Sequence, residues 1–583
     1  MNRAAIQWIS GPVLKARVNG PFRVNEAVLV GDRGLLGEVV RLDGEEITVQ
    51  VYEDTTGLRP GDKVVGEGRP LAIRLGPGLL GGIYDGLLRP LTISKDDFIQ
   101  PGMAREFSRT FQFQPSVAVG DPLTGGAILG QATLDGVIHH PIPLSPSLQG
   151  EVVTIVPAGS YQDDETILQL KTPAGQVVEV AMSHWWPVRT PRPVRERLAI
   201  GPPLLTGQRV LDCLFPVARG GKAMVPGGFG TGKTVLLETV AKWCNADVII
   251  YVGCGERGNE LSGVLEEFPQ LEDPRSGRPL MERTLVIANT SNMPVAAREA
   301  SIYTGVTVAE YFRDLGLNVA LMADSTSRWA EALREVSGRL GELPGEGGYP
   351  AYLSTRLAAF YERAARVRTL TGEGGSLTLI GAVSPPSSDF SEPVTIHTKR
   401  YVRNLWELDR KRAQARFYPA IEPLHSYSED AVELATWWQK QGNPRWAEQR
   451  RKFLTLLEEQ SRLERMARIL GKDTLPPRQQ LTLLCASLVN EGFLRQSAFA
   501  AKDRFCSPQK QNRMMVLLER FLLLADKAVE AGVTVEAISE IPVLRRLQRM
   551  GEEIGDDEME RFNDLEKELE RAFAGLSSER GTP

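Results

Sequence analysis

One stretch of eight residues carries the residue types that bind phosphate. It fits the pattern GxxxxGK[ST] at every position, and its residues are Gly227, Gly228, Phe229, Gly230, Thr231, Gly232, Lys233 and Thr234. Glycines let the backbone wrap closely enough for successive N–H groups to face phosphate oxygens, and a following helix adds its dipole. A lysine at this spacing reaches the β and γ phosphates of a nucleotide such as ATP, and the adjacent hydroxyl is a ligand for Mg²⁺.

The surroundings of this stretch support the same interpretation. An apolar run, Ala223 to Val225, precedes it, and an amphipathic stretch that starts near Val235 follows it. A glycine-rich turn could arise by accident. The coincidence of strand, turn, Lys-Thr pair and helix favours a phosphate loop.

A carboxylate suited to hydrolysis follows the next predicted strand. Glu256 comes directly after the apolar run Val248 to Val252 and Gly253-Cys254-Gly255. Open α/β sheets bind ligands at the carboxyl ends of their strands, so we expect this carboxylate to face the γ phosphate and to orient the attacking water. The alternative is a structural ion pair of Glu256 with Arg257 or another neighbour.

A second carboxylate ends another apolar run. Asp324 follows Asn318 to Ala323, which is the expected form of a Walker B strand, and its carboxylate is predicted to hold Mg²⁺ through water. Arg328 follows within the same turn and is a candidate for contact with the nucleotide. A surface salt bridge is the alternative for this arginine.

The run Gly253 to Gly258 also fits GxGxxG, the pattern of a dinucleotide site. About 20 residues further on, however, the chain is the polar loop Pro269 to Pro274 and lacks the strand that would carry a ribose-binding acid. A dinucleotide site is therefore not expected here.

The five cysteines show no CxxC spacing and the five histidines show no HxxxH spacing, which argues against a metal site built from them.

The elements that must position these residues form an α/β multidomain chain. Ile47, Val49 and Val51 alternate with polar residues, which predicts a strand of a small barrel. Apolar strands that alternate with helical stretches favour a parallel sheet; these strands are 223–225, 248–252, 285–288, 319–322 and 377–380. The expected domains are an N-terminal β-barrel at 1–75, a linker and β-rich insertion at 76–190, a nucleotide-binding domain at 191–430 and a helical domain at 431–583. The charged stretch Glu552 to Arg571 is predicted to be a solvated helix, with a contact surface for a partner helix as the alternative.

Charge and hydropathy narrow the range of partners. The formal charge is −5, which argues against a nucleic acid as the main partner. No stretch has the roughly 18 to 20 uncharged apolar residues that span a bilayer, so a cytoplasmic protein is expected.

Three motifs closely resemble the catalytic A subunit of vacuolar/archaeal-type rotary ATPases. They are the phosphate loop, Gly-Glu-Arg-Gly-Asn-Glu at 255–260 and Ala-Asp-Ser-Thr-Ser-Arg-Trp-Ala-Glu-Ala-Leu-Arg-Glu at 323–335. The resemblance extends to shorter segments at 76–80, 83–86, 344–352 and 417–420. It covers most of residues 1–430.

The resemblance implies a RecA-like P-loop core between a barrel and a helical domain, and ATP hydrolysis or synthesis coupled to transport of H⁺ or Na⁺. It implies an A3B3 ring in which B-type subunits supply an arginine in trans, together with a central rotor stalk, peripheral stators and, indirectly, a membrane ion-translocating sector. The chain would then lie on the cytoplasmic face of a membrane. Carried over by motif, the catalytic residues are Glu256, Arg257, Lys233 and Arg328, the nucleotide contacts are residues 227–234 with Val235, Phe417 and Phe505, and the ligands of Mg²⁺ are Thr234 and Asp324.

Two departures from the family pattern are visible. Eukaryotic members commonly have cysteine where this chain has Thr231, so redox locking is not expected. The insertion at 110–190 is shorter than in many members, which leaves its stator contacts open.

Two alternative functions remain at this point: another hexameric RecA-like ATPase, either a protein-export motor or an RNA translocase, and a non-catalytic nucleotide-binding component of a ring. The acidic balance opposes an RNA translocase, and the presence of both Lys233 and Glu256 opposes a non-catalytic role.

Overall fold

The structure is a computed structural model of the 583-residue chain and describes residues 2–91, 100–102, 108–134, 138–273, 275–471 and 474–578. The chain divides into two compact units. The first comprises Met1–Ala199 and Ala246–Tyr401, and the second comprises Ile200–Asn245 and Val402–Pro583. Among the described residues, no helix combines the length and the apolar character that crossing a membrane requires.

The strands and helices fall in the following order. The N-terminal strands are β1 (Arg3–Ser10), β2 (Val13–Asn19), β3 (Glu26–Val30), β4 (Leu35–Asp43), β5 (Glu46–Val51) and β6 (Lys63–Pro70). The strands that follow them are β7 (Ala72–Leu75), β8 (Ile83–Tyr84), β9 (Thr110–Pro115), β10 (Pro122–Leu123), β11 (Ile128–Leu134), β12 (Ile138–Pro143), β13 (Gly150–Ile155), β14 (Gly159–Gln162), β15 (Thr166–Lys171), β16 (Val177–Ala181) and β17 (His184–Pro187). The later strands are β18 (Glu196–Arg197), β19 (Lys222–Pro226), β20 (Val248–Cys254), β21 (Thr284–Asn289), β22 (Asn318–Asp324), β23 (Ala365–Arg368), β24 (Gly374–Val383), β25 (Asn404–Leu405) and β26 (Tyr427–Ser428). The α-helices are α1 (Lys233–Trp243), α2 (Gly258–Glu267), α3 (Val295–Asp314), α4 (Thr326–Arg339), α5 (Leu353–Tyr361), α6 (Pro393–Tyr401), α7 (Arg410–Gln414), α8 (Ala431–Lys440), α9 (Trp446–Leu470), α10 (Pro477–Val489), α11 (Pro508–Glu530), α12 (Val535–Ser539), α13 (Pro542–Glu553) and α14 (Glu560–Ser578).

The N-terminal strands close into a barrel in the order β1-β2-β5-β4-β3-β6, and their pairs are antiparallel. The alternating residues Ile47, Val49 and Val51 of β5 are buried in its core, which confirms the predicted strand. Closure leaves no strand edge of the barrel unpaired.

The insertion is β-rich, as the sequence predicts. The part of it that the structure describes includes two four-stranded sheets, in the orders β10-β13-β15-β16 and β12-β11-β9-β14. Phe111, Phe113, Leu129, Ile142 and Leu168 belong to the hydrophobic core of these strands.

The first unit also contains a parallel sheet whose strands end near the candidate catalytic residues. Its order is β24-β22-β20-β21-β8, and β23 adds an antiparallel strand beside β24. Every residue of β20 is buried, and helices α3 and α4 pack against the sheet. In the register of β20 and β22, Gly253 lies opposite Asp324. The carboxyl ends of these two strands are therefore neighbours.

The second unit combines a short sheet with the C-terminal helices. Strand β19 pairs with β25 in parallel, β25 pairs with β26 in antiparallel, and α1 follows β19 after the glycine-rich loop. Helices α8 to α14 make up most of the remainder.

The prediction of a solvated C-terminal helix is wrong. Helix α14 packs against α11 and α13, and its Phe562, Leu565, Leu569 and Phe573 are buried. These apolar residues recur every three or four positions and so form one face of the helix, which the high charge of the other face obscured.

Candidate functional site

The phosphate loop has the predicted strand–turn–helix setting in the second unit. Gly230 and Gly232 have φ values of +75° and +86°, which favour glycine, and α1 begins directly after Gly232. Thr231 is buried, and its hydroxyl donates to the carbonyl oxygen of Gly228 at 2.8 Å. A Cβ at Gly227 would lie 2.6 Å from Oγ1 of Thr231, so the loop closes too tightly for a side chain there.

Lys233 is the first residue of α1, and its ammonium group lies over the loop. Its Nζ donates to the carbonyl oxygens of Gly227 at 2.8 Å and of Gly228 at 3.2 Å. Thr234 is partly buried beside it, whereas Phe229 and Val235 are exposed. The loop therefore holds the lysine close to the backbone N–H groups that a phosphate would contact.

The two aromatic residues proposed for the adenine base lie in this same unit. Both are partly buried, and the guanidinium of Arg412 lies 5.3 Å from the ring centroid of Phe417. The ring of Phe505 stacks on Trp243, with centroids 5.5 Å apart and an interplanar angle of 30°. Because Trp243 is the last residue of α1, the helix that starts at Lys233 ends against this aromatic pair.

The candidate catalytic carboxylate lies in the first unit, at the carboxyl end of β20. The backbone turns at Gly255, where φ is +71°, and the N–H of Gly255 donates to the carbonyl oxygen of Asn289 at 2.6 Å. The carbonyl oxygen of Glu256 accepts from the N–H of Ser291 at 2.9 Å. Two strand ends, β20 and β21, thus fix the backbone of Glu256 at the sheet edge where α/β proteins bind ligands.

Burial raises the pKa of Glu256 to about 7, with further contributions from the nearby charge of Asp324 and a hydrogen bond with Glu260, while a hydrogen bond with Ser325 acts in the opposite direction. A dominant ion pair with Arg257 would lower this pKa. The direction of the shift therefore favours the catalytic interpretation over the structural ion pair.

Asp324 is the last residue of β22, as the sequence predicts for a Walker B strand. Its side chain is buried, and its Oδ2 accepts a hydrogen bond from the hydroxyl of Tyr251 at 3.4 Å. The structure thus brings Glu256 and Asp324 together at neighbouring strand ends.

The two candidate arginines differ in their surroundings. Arg257 is exposed and occupies the position directly before the first residue of α2. Arg328 lies in α4, and its Nη1 is 2.9 Å from the carboxylate of Glu331, so the salt bridge that the sequence left open does form. Its Cβ lies 2.7 Å from the position that a Cβ on Gly255 would occupy.

Three residues near the candidate catalytic elements were missed from the sequence. Glu260 lies in the first turn of α2, and its hydrogen bond with Glu256 contributes to the raised pKa of Glu256; both residues belong to the motif at 255–260. Arg298 approaches Gly255 from α3, with its Cδ 2.8 Å from the position of a Cβ there, and Trp243 stacks on Phe505. No local pattern in the sequence pointed to the last two contacts.

Comparison with known proteins identifies relatives of nearly the same length. The A subunit of the A-type ATP synthase of Thermococcus sibiricus is 50% identical over 93% of this chain and 94% of its own length. That of Methanopyrus kandleri is 48% identical over 99% of both chains, and the V-type ATP synthase alpha chain of Halothermothrix orenii is 47% identical over 98% of both. The chain belongs to the A-subunit family of A-type and V-type ATP synthases. Its function is ATP hydrolysis or synthesis coupled to ion transport, as a nucleotide-binding component of an ATP synthase complex that contains several different chains.

Four domain models match successive segments of the chain. Residues 6–68 match the beta-barrel domain of the ATP synthase alpha/beta family, 103–189 its barrel-sandwich domain, 207–428 its nucleotide-binding domain, and 435–539 the C-terminal domain of V and A type ATP synthase. Among solved structures, the assembled ATPase EscN of the enteropathogenic E. coli type III secretion system aligns with a TM-score of 0.65 and 22% identity, over 88% of this chain and 99% of that one. At this identity the likeness concerns the fold, which confirms the predicted RecA-like core with its barrel and helical domain.

Proposed function

We propose that Glu256 is the catalytic carboxylate of this member of the ATP synthase family. It positions and polarises the water that attacks the γ phosphate in line, and Arg257 assists it. The observation that carries this proposal is the raised pKa of Glu256, about 7, at the carboxyl end of a buried strand. A carboxyl with a pKa near the working pH accepts a proton from water readily while it remains a competent base.

The phosphate loop supplies binding and charge. In this proposal the backbone N–H groups of residues 227–234 hold the phosphates, and Lys233 stabilises the negative charge that develops on the β and γ phosphates. The contacts of Lys233 with two loop carbonyls support this role, because they keep the ammonium group beside those N–H groups. Arg328, already paired with Glu331, contributes positive charge on the side of Glu256.

The donor groups of Thr234 and Asp324 fit Mg²⁺. One offers a hydroxyl oxygen and the other a buried carboxylate, and Mg²⁺ prefers oxygen ligands, partly through water. We propose that these two residues hold the ion. Bound there together with the nucleotide, Mg²⁺ would neutralise part of the negative charge of the phosphates.

Phe417 and Phe505 are proposed to contact the adenine base. Aromatic faces stack on a base with little regard to its identity, and both rings belong to the unit that carries the phosphate loop. The proposed domains keep the limits 1–75, 76–190, 191–430 and 431–583, which the matched domains support.

The assembly is proposed to be an A3B3 ring at the cytoplasmic face of a membrane. B-type subunits would supply an arginine in trans, a central rotor stalk and peripheral stators would connect the ring to the ion-translocating sector, and no nucleic acid would take part. A trans arginine adds roughly 10³ to 10⁵ in rate, so the isolated chain should hydrolyse ATP slowly and the ring much faster.

The decisive test compares Glu256→Gln with Glu266→Gln in the assembled ring. The first change keeps the size of the side chain and removes its proton-accepting charge; the second alters an exposed residue of α2. We expect Glu256→Gln to keep nucleotide affinity within about twofold and to lower turnover by at least about 10², and Glu266→Gln to match the wild type. Turnover at the wild-type rate in the Glu256 variant would refute the assignment.

A further inference from the structure

A cluster of fully buried polar residues joins the segment before β19 to the segment that carries Phe505. Arg209, Gln496 and Asp503 are exposed by 1%, 4% and 1% respectively, and we call them the buried polar cluster. The Nη1 of Arg209 forms an ion pair with the carboxylate of Asp503. Its Nε donates to the carbonyl oxygen of Phe493 at 2.8 Å, and its Nη2 donates to that of Arg495 at 2.6 Å.

Gln496 completes the cluster by linking three backbone positions. Its Oε1 accepts from the N–H of Arg209 at 2.9 Å, and its Nε2 donates to the carbonyl oxygens of Gly207 and Asp503, each at 2.8 Å. The N–H of Cys506 donates to the carbonyl oxygen of Gly207 at 3.0 Å. The chain is therefore held on both sides of Phe505, at Asp503 and at Cys506.

The ring of Phe505 is fitted between Gly207 and Trp243. Gly207 has a φ of +71°, and a Cβ at this position would lie 2.1 Å from Cδ2 of Phe505. The ring also stacks on Trp243 at the end of α1. The space for the ring of Phe505 thus depends on Gly207 having no side chain. The position of the ring beside the end of α1 depends on the buried polar cluster.

We propose that the buried polar cluster is a positioning device for the base of the bound nucleotide. It fixes the position of Phe505 relative to α1. The distance between Lys233, which contacts the phosphates, and the ring of Phe505, which contacts the base, is thereby kept constant. An arginine buried away from water is costly without its carboxylate partner, so the backbone near Asp503 cannot shift without breaking the pair. The inference rests on the proposed contact of Phe505 with adenine.

The test separates base binding from phosphate binding. Mg-ATP and Mg-tripolyphosphate, which lacks a base, are titrated into the full chain by calorimetry. The variants are Asp503→Asn, which removes the charge of the pair, and Gly207→Ala, which displaces the ring and leaves the pair intact. Gly442→Ala is the matched control, because Gly442 has a similar φ of +92° with nothing within 4 Å of a Cβ, in the same unit.

We expect Asp503→Asn and Gly207→Ala to weaken ATP binding about tenfold, a typical loss for one base–aromatic stack, and to leave tripolyphosphate binding within about twofold. Gly442→Ala should change neither. In the assembled ring the two test variants should raise KM for ATP and keep kcat at saturating ATP, since the groups assigned to the phosphate are untouched.

Three results would overturn the proposal. Loss of ATP and tripolyphosphate binding to the same extent in both test variants would show that the cluster maintains the whole nucleotide site and has no specific role in positioning the base. Unchanged ATP binding in both, together with weaker binding in Phe505→Ala, would leave the base contact standing and remove the positioning role. Unchanged ATP binding in Phe505→Ala would remove the base contact itself, and the positioning role with it.

Discussion

Replacing Glu256 by glutamine should stabilise the protein while it removes turnover. Burial and the charge of Asp324 raise the pKa of Glu256 from its ordinary value of 4.5 to about 7. The folded chain therefore prefers the neutral carboxyl, and this preference corresponds to about 3 kcal/mol. Because the pKa of Glu256 is higher in the folded chain than in the unfolded chain, its contribution to the free energy of unfolding is complete below about pH 4.5 and is lost as the pH rises through 7. Glutamine is neutral at every pH, so the variant does not lose this stability.

The measurable quantity is the difference in free energy of unfolding between Glu256→Gln and the wild type. It should widen by about 3 kcal/mol from pH 4.5 to pH 8, in favour of the variant. Urea denaturation of the full chain at the two pH values, without nucleotide, gives this difference. Glu266→Gln, at an exposed position of α2, serves as the control for the substitution itself.

The opposite outcome would have a clear meaning. If the wild type gained stability over the variant as the pH rises, the charged carboxylate of Glu256 would be held by a cation such as Arg257. The structural ion pair would then be the correct interpretation, and the catalytic role would lose the observation that carries it.

Two further predictions concern the scaffold around these sites. The Nε2 of His140 lies 2.8 Å from the hydroxyl of Tyr311, and burial lowers the pKa of this histidine to about 4. Below about pH 6.5 the unfolded chain takes up a proton that the folded chain does not, so the free energy of unfolding falls between pH 6.5 and pH 4. In urea titrations at pH 7 and pH 4, His140→Gln should reduce that fall by about 3 kcal/mol. An equal fall in both proteins would exclude this histidine as the cause. Leu569→Ala in α14, at a side chain with no exposed surface, should cost about 2–5 kcal/mol, whereas Arg571→Ala on its exposed face should stay within about 0.5 kcal/mol. Equal and negligible costs in denaturation curves would restore the solvated helix.

The parts of the site that are contiguous in sequence could be predicted. The phosphate loop needs a strand, glycines, a lysine and a helix in immediate succession, and all of them stand within residues 222–243. The end of an apolar run likewise marked Asp324 as the end of a strand. Local backbone geometry decides these features, so a single segment carries the whole signal.

The surroundings of the candidate functional side chains could not be predicted in the same way. The pKa of Glu256 depends on its burial and on Asp324, which belongs to another strand, and the place of Phe505 depends on Trp243 and Gly207. These partners are distant along the chain and are brought together by the packing of the sheet or of the helices. Helix α14 is a different case: its apolar face is present in the sequence, but the many charged residues between the members of that face hide their spacing.

The two halves of the proposed chemistry carry different local costs. In the phosphate loop the cost lies in the backbone, because Gly230 and Gly232 adopt φ values that other residues avoid. At Glu256 it lies in a carboxyl that burial makes hard to ionise. Glu256 follows a regular, fully buried strand, β20, whose packing compensates for the stability lost at this carboxyl. A residue that weakens the fold can therefore persist at this position. A substitution that relieves either cost is therefore expected to act against function.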